Sequence, residues 1–123
     1  LVGSIMSYYY NNLRNLTEEI DTMSDFTKFD LYMLRTIKTK NISIRKIGTV
    51  DEDDENSYFI TFENEDGTTT SFIKKGNLLY YNEIKLCENV ESFRIFVDKS
   101  GKESITVEMS INGEIRNFQY AVI

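Results

Sequence analysis

The sequence predicts an α+β fold: one long N-terminal α-helix packed on an antiparallel β-sheet meander of about six or seven strands. Three observations carry this reading. Residues 5–39 contain neither proline nor glycine, and their apolar residues recur at steps of three and four. From residue 42 onward the period of the pattern changes to two. Turn residues then punctuate the chain at short intervals, ending in an Asn112-Gly113 pair between two alternating runs. The helix is expected in residues 1–40 and the sheet in residues 41–123 of a single domain.

The helix comes first. Tyr9, Leu13, Leu16, Ile20, Met23, Leu31 and Leu34 fall within about 80° of one another on a helical wheel. Phe26, Phe29, Met33 and Ile37 form a second apolar set on the neighbouring flank. The stripe is therefore narrow in the first half and wide in the second, so the second half should be wrapped by the rest of the fold. About 35 residues give a rod of roughly 50 Å, longer than an ordinary globular helix. Ser24, within Asp21-Thr22-Met23-Ser24-Asp25, is a candidate cap for a second helix, so a break there is the alternative. Lys38 and Lys40 suit the negative end of the helix dipole, and the helix should stop near Lys40-Asn41.

The strands follow. Ile42, Ile44 and Ile47 alternate with Ser43 and Arg45 before Gly48. Tyr58-Phe59-Ile60-Thr61-Phe62 is a strand, and Asp66-Gly67 supplies a turn after it. Residues 68–74 return, Gly76-Asn77 turns again, and residues 78–81 form a further strand. Phe93, Ile95 and Val97 belong to the first strand of a three-stranded meander. Ile105, Val107, Met109 and Ile111 form its second strand and the cleanest alternation in the chain. Ile115, Phe118, Tyr120 and Val122 form its third. One apolar face of such a sheet needs a cover, and the N-terminal helix is the only long amphipathic element.

Composition narrows function by exclusion. The chain has 123 residues, 41% of them apolar, and a net charge of −6. Its nine Lys and five Arg are scattered, so no nucleic-acid partner is expected, because phosphate recognition needs clustered cations. Cys87 is the only cysteine and reads as a small apolar filler, which leaves stability to packing. The richness in Ile, Asn, Lys, Tyr and Phe, with no proline, suggests an AT-rich genome. No run approaches the ~20 apolar residues of a membrane span. The start at Leu1-Val2-Gly3-Ser4, without Met, leads us to expect that a segment has been removed upstream.

With no histidine, histidine-dependent acid–base work, serine triads and histidine-bearing metal sites are excluded. The dense carboxylates at residues 51–55 and 63–66 fall in expected loops and read as solvated turns rather than as a catalytic pair. Calcium is the sharper alternative for Asp51-Glu52-Asp53-Asp54-Glu55, but the run lacks the ligand spacing and central glycine of an EF-hand loop. No glycine-rich phosphate loop follows a strand. We therefore expect no enzyme, no catalytic residue, no cofactor, no metal and no small-molecule substrate. Tyr8-Tyr9-Tyr10 points elsewhere. On a helix these rings stand about 100° apart and cannot all enter one core, and Tyr is favoured at interfaces. Tyr8, Tyr9, Tyr10, Leu13, Leu16 and Ile20 are the expected partner-facing residues.

The pattern Asn77-Leu78-Leu79-Tyr80-Tyr81, then Leu86-Cys87-Glu88-Asn89-Val90-Glu91-Ser92-Phe93, then Ile95-Phe96-Val97, resembles the minor pilins and pseudopilins of type IV pili, type II secretion and Gram-positive competence systems. The likeness is greatest to J-type pseudopilins and competence minor pilins. There a long helix runs into positions like Phe26 to Arg35 here, and an Asn-Val-x-Ser-Phe stretch opens a strand. The architectural likeness covers the whole chain, while the motifs are confined to about residues 77–108. The family's prepilin leader and hydrophobic helix are missing from this sequence. The resemblance implies a pilin-like, non-enzymatic structural subunit in the initiation or tip assembly of a filament. Its partners would be other minor pilins or pseudopilins and the assembly machinery. It would be membrane-anchored through the missing upstream helix and would sit at the extracellular face of the membrane, on the cell surface. The alternative is a surface-exposed binding module of a larger secreted or cell-surface protein.

Overall fold

The computed structural model describes residues 24–100 and 103–122. Helix α1 (Asp25–Ile37) begins where Ser24 caps it: the Ser24 hydroxyl accepts from the backbone N–H of Thr27 at 3.3 Å. Asp25 in the first turn and Arg35 in the last both suit the helix dipole. The two apolar sets read from the sequence part company here. Phe26, Phe29 and Met33 are buried, whereas Leu34 is exposed and Leu31 half-buried.

Eight strands follow: β1 (Ser43–Thr49), β2 (Tyr58–Glu63), β3 (Thr69–Lys75), β4 (Leu78–Tyr81), β5 (Ile84–Cys87), β6 (Val90–Asp98), β7 (Ser104–Ile111) and β8 (Glu114–Ala121). They form two antiparallel sheets, β1-β2-β3-β4-β5 and β6-β7-β8. This corrects the expected architecture. The described residues are mostly β, with one 13-residue helix, and not a long helix packed on a single sheet of six or seven strands. The Ser24 cap starts the described helix inside the stretch read as continuous; the part of the expected helix before Ser24 lies outside the described residues.

The strand missing from the sequence reading is β5. Its hairpin with β4 turns on Asn82, which takes a left-handed φ of 54°. Asn82 is held there by its own β3 contacts: its side-chain oxygen accepts from Ser71 N at 2.9 Å, and its N–H donates to Ser71 O at 2.8 Å. Asn89, with φ 55°, turns the chain again between β5 and β6, and β6 then pairs with β7 rather than β5. The Asn112-Gly113 hairpin is as expected, with φ 51° and 81° joining β7 to β8.

One hydrophobic core joins both sheets to the helix. Phe29 is its centre. Its ring meets Phe72 of β3 edge-on at 5.6 Å, Phe93 of β6 at 5.5 Å and Phe118 of β8 at 5.3 Å. Helix α1 packs on β5 and β8, one strand from each sheet. Elsewhere the sheets meet at a parallel bridge between Ser57 and Phe93, where Phe93 N–H donates to Asn56 O at 2.8 Å.

Candidate interaction surface

Helix α1 is fixed on both flanks, and this determines which face it leaves outward. On the β5 side, Asp25 accepts from Glu88 N–H through its carboxylate at 2.8 Å and from the Cys87 thiol through its backbone carbonyl at 3.3 Å. Tyr32 lies against Tyr81 with ring centroids 4.9 Å apart, and the Arg35 guanidinium sits over Tyr32 at 5.8 Å. On the β8 side, the Tyr120 hydroxyl donates to Asp30 at 2.7 Å, and Arg116 covers the Phe26 ring at 4.7 Å. Burial, and then the bond to Asp30, push the Tyr120 phenol well above its usual range. The face between these ties carries Thr27, Leu31 and Leu34, spaced three and four residues apart. Ile84, the cross-strand partner of Tyr81, adds a further exposed apolar side chain on β5.

A buried polar cluster lies under the β1–β2 loop, and sequence reasoning missed it. Lys74 on β3 is buried, and its ammonium donates to Ser57 Oγ at 2.9 Å and to Gly76 O at 2.5 Å. Ser57 Oγ in turn donates to Asp54 at 2.7 Å. That bond, the Asn56 N–H and the nearby Lys74 charge hold the Asp54 carboxyl below its usual range. The signal was present in the strand period: Lys74 shares parity with Phe72, so it faces the core. With Ser57 and Lys74 both buried, this arrangement can clamp a loop but presents no open hydroxyl to a substrate.

The acidic run of residues 51–55 is an ordered part of that loop. Asp51 accepts from Asp53 N–H at 3.3 Å, and Asp54 accepts from Asn56 N–H at 2.9 Å. Among the described residues, no three His, Cys, Asp or Glu side chains converge as a metal-binding group. Cys87 ends β5 and is buried; burial first, and the Asp25 charge second, push its thiol up to about 12. One open surface depression among the described residues is lined by Ile44, Arg45, Lys46, Ile47, Val97 and Lys99.

The expected partner-facing residues Tyr8, Tyr9, Tyr10, Leu13, Leu16 and Ile20 all lie outside the described residues. Of the apolar set that contains Leu13, Leu16 and Ile20, the structure places Leu31 and Leu34, and it places them toward the surface. A comparison with protein-family models, with curated proteins and with solved structures returned no match to this chain.

Proposed function

We propose that this chain is a non-enzymatic assembly subunit, of minor pilin or pseudopilin kind, that docks like subunits of a surface filament through the outward face of α1. The observation that carries the proposal is the division of the helix stripe. Phe26, Phe29 and Met33 are taken into the core, while Leu31 and Leu34 stay outside it. In the sequence those two leucines share a helical-wheel sector with Leu13, Leu16 and Ile20, although the described helix itself starts at the Ser24 cap. An apolar stripe left over after a core is complete is what a partner helix needs. The Asn89-Val90-Glu91-Ser92-Phe93 stretch, which carries the resemblance, leads into β6 and buries Val90 and Phe93, and this also supports the reading.

Under this proposal the domain stands at the extracellular face of the membrane and its partners are other pilin-like subunits. The test is co-purification of the chain with co-expressed pilin-like subunits of the same filament. Leu31→Glu combined with Leu34→Glu should abolish capture while the thermal unfolding midpoint moves by only a few degrees, about the size expected for surface changes. Unaltered capture by the double variant would count against the proposal.

A further inference from the structure

The face of the five-stranded sheet that points away from the core carries a row across all its strands. Register places Gly48 beside Phe59, Phe59 beside Ile73, Ile73 beside Tyr80, and Tyr80 beside Lys85. The row crosses four strand spacings, or about 19 Å. Phe59, Ile73 and Tyr80 are half-buried, which is unusual company for the solvent face of an edge-to-edge meander. The Phe59 ring lies over Gly48 so closely that a Cβ there would meet it at 3.3 Å. Lysines surround the row. Lys46 Nζ sits 5.8 Å from the Phe59 centroid, and Lys75 Nζ sits 5.8 Å from that of Tyr80. Lys85 is paired with Glu88, but among the described residues neither Lys46 nor Lys75 is in an ion pair. Glu63 shares this face at its far end, beside Thr69. A chain of net charge −6 thus keeps a basic, aromatic patch on one sheet face.

The complementary surface is on the same chain. In the β1–β2 loop, half-buried Asp54 accepts from Asn56 N–H and from Ser57, exposed Asp51 accepts from Asp53 N–H, and Lys74 braces Ser57 from below. The exposed residues are Val50, Asp51, Glu52, Asp53, Glu55 and Asn56. The loop is therefore a preorganised acidic knob with an apolar root, which loses little entropy when it binds. We propose that the lysine-rimmed row of one copy receives the residue 50–55 loop of a second copy, with Val50 against the aromatic row and the carboxylates on Lys46 and Lys75. The two patches differ, so the contact is heterologous and each copy keeps one free patch, which permits an open line of subunits. This contact uses a different face from the α1 stripe and does not depend on the filament reading.

Sedimentation of the 123-residue chain tests it. Self-association should appear at low salt and weaken as salt rises from about 50 to about 500 mM. Lys46→Glu with Lys75→Glu should weaken it about tenfold, and so should Glu52→Lys with Asp53→Lys and Glu55→Lys. Circular dichroism should show both variants folded, because every changed side chain is at the surface. Mixing the two variants should restore association, since the reversed row of one then meets the reversed loop of the other. A chain that stays monomeric at low salt overturns the proposal. So does association untouched by either reversal, failure of the mixture to recover, or binding of the lysine face to anionic vesicles in place of a second copy.

Discussion

The two sheets are built differently, and the difference decides what each tolerates. In the three-stranded sheet, β7 alternates buried and half-buried residues along its whole length, and its register with β8 runs unbroken from Ser104↔Ala121 to Ile111↔Glu114. The five-stranded sheet shifts register between Ile44 and Lys46 and again between Leu79 and Tyr80, against a single shift between Val90 and Ser92 in the smaller sheet, and it turns Lys74 inward. The smaller sheet is an apolar packing surface; the larger one also clamps a loop with a buried cation. Both share Phe29, so the comparison breaks first there.

Phe29→Ala has the largest expected effect. The ring is fully buried and touches aromatic side chains of both sheets, so its loss should cost about 3–5 kcal/mol. Urea unfolding measures the loss. Hydrogen exchange should report it equally in β3 and β6, and a loss confined to one sheet would show that the sheets hold separate cores. Lys74→Ala should come next, at about 2–4 kcal/mol, because it removes the ammonium that donates to the Ser57 hydroxyl oxygen and the Gly76 carbonyl and opens a cavity. Lys74→Met keeps most of the volume and should cost less than Lys74→Ala. Equal costs would mean that the hydrogen bonds, not the stem, carry the role of Lys74.

The same contrast separates what was legible in the sequence from what was not. The three-stranded meander was read correctly, since Ile105, Val107, Met109 and Ile111 repeat without interruption and Asn112-Gly113 names its turn. The buried helix flank of Phe26, Phe29 and Met33 was legible for the same reason. β5 was not, because it is four residues long, lies next to a register shift and turns on an asparagine without glycine. Asn41, Asn82, Asn89 and Asn112 all take left-handed φ, so residues that compositional bias seemed to explain have backbone roles. The division into two sheets is a tertiary outcome that no strand period encodes. Tyr8, Tyr9, Tyr10, Leu13, Leu16 and Ile20, the expected interface, all lie outside the described residues.

Tyr120→Phe probes the seam between α1 and the smaller sheet. It removes one hydrogen bond to the Asp30 carboxylate and should cost about 1.5 kcal/mol. The folded Tyr120 phenol titrates above its ordinary 10.0, so the folded state holds that proton more tightly than the unfolded chain does. Its contribution is complete below the ordinary value and falls as pH rises beyond it. The variant should lose that alkaline slope in thermal melts. A slope unchanged by the substitution would place the alkaline sensitivity elsewhere.

The smallest expected effect is at the acid end, and it falls on the larger sheet. Asp54, Asp66 and Glu88 flank its strands and all titrate below their ordinary values. Ser57, Thr68 and Lys85, respectively, are the main causes. The smaller sheet has one such group, Asp98, held by Ser100. A depressed carboxylate stabilises the fold above its ordinary value, 3.8 for Asp54, and that contribution is lost as pH falls through the folded value. Acidification should therefore loosen the larger sheet first, with faster amide exchange in β2 and β3 than in β7. Asp54→Asn keeps an acceptor for Asn56 N–H but removes the charge beside Lys74, so it should flatten the acid slope of the melting temperature slightly without changing the alkaline one. Earlier loosening of β7 than of β2 would reverse the assignment, because the buried cation and its loop would then be the firmer half of the molecule.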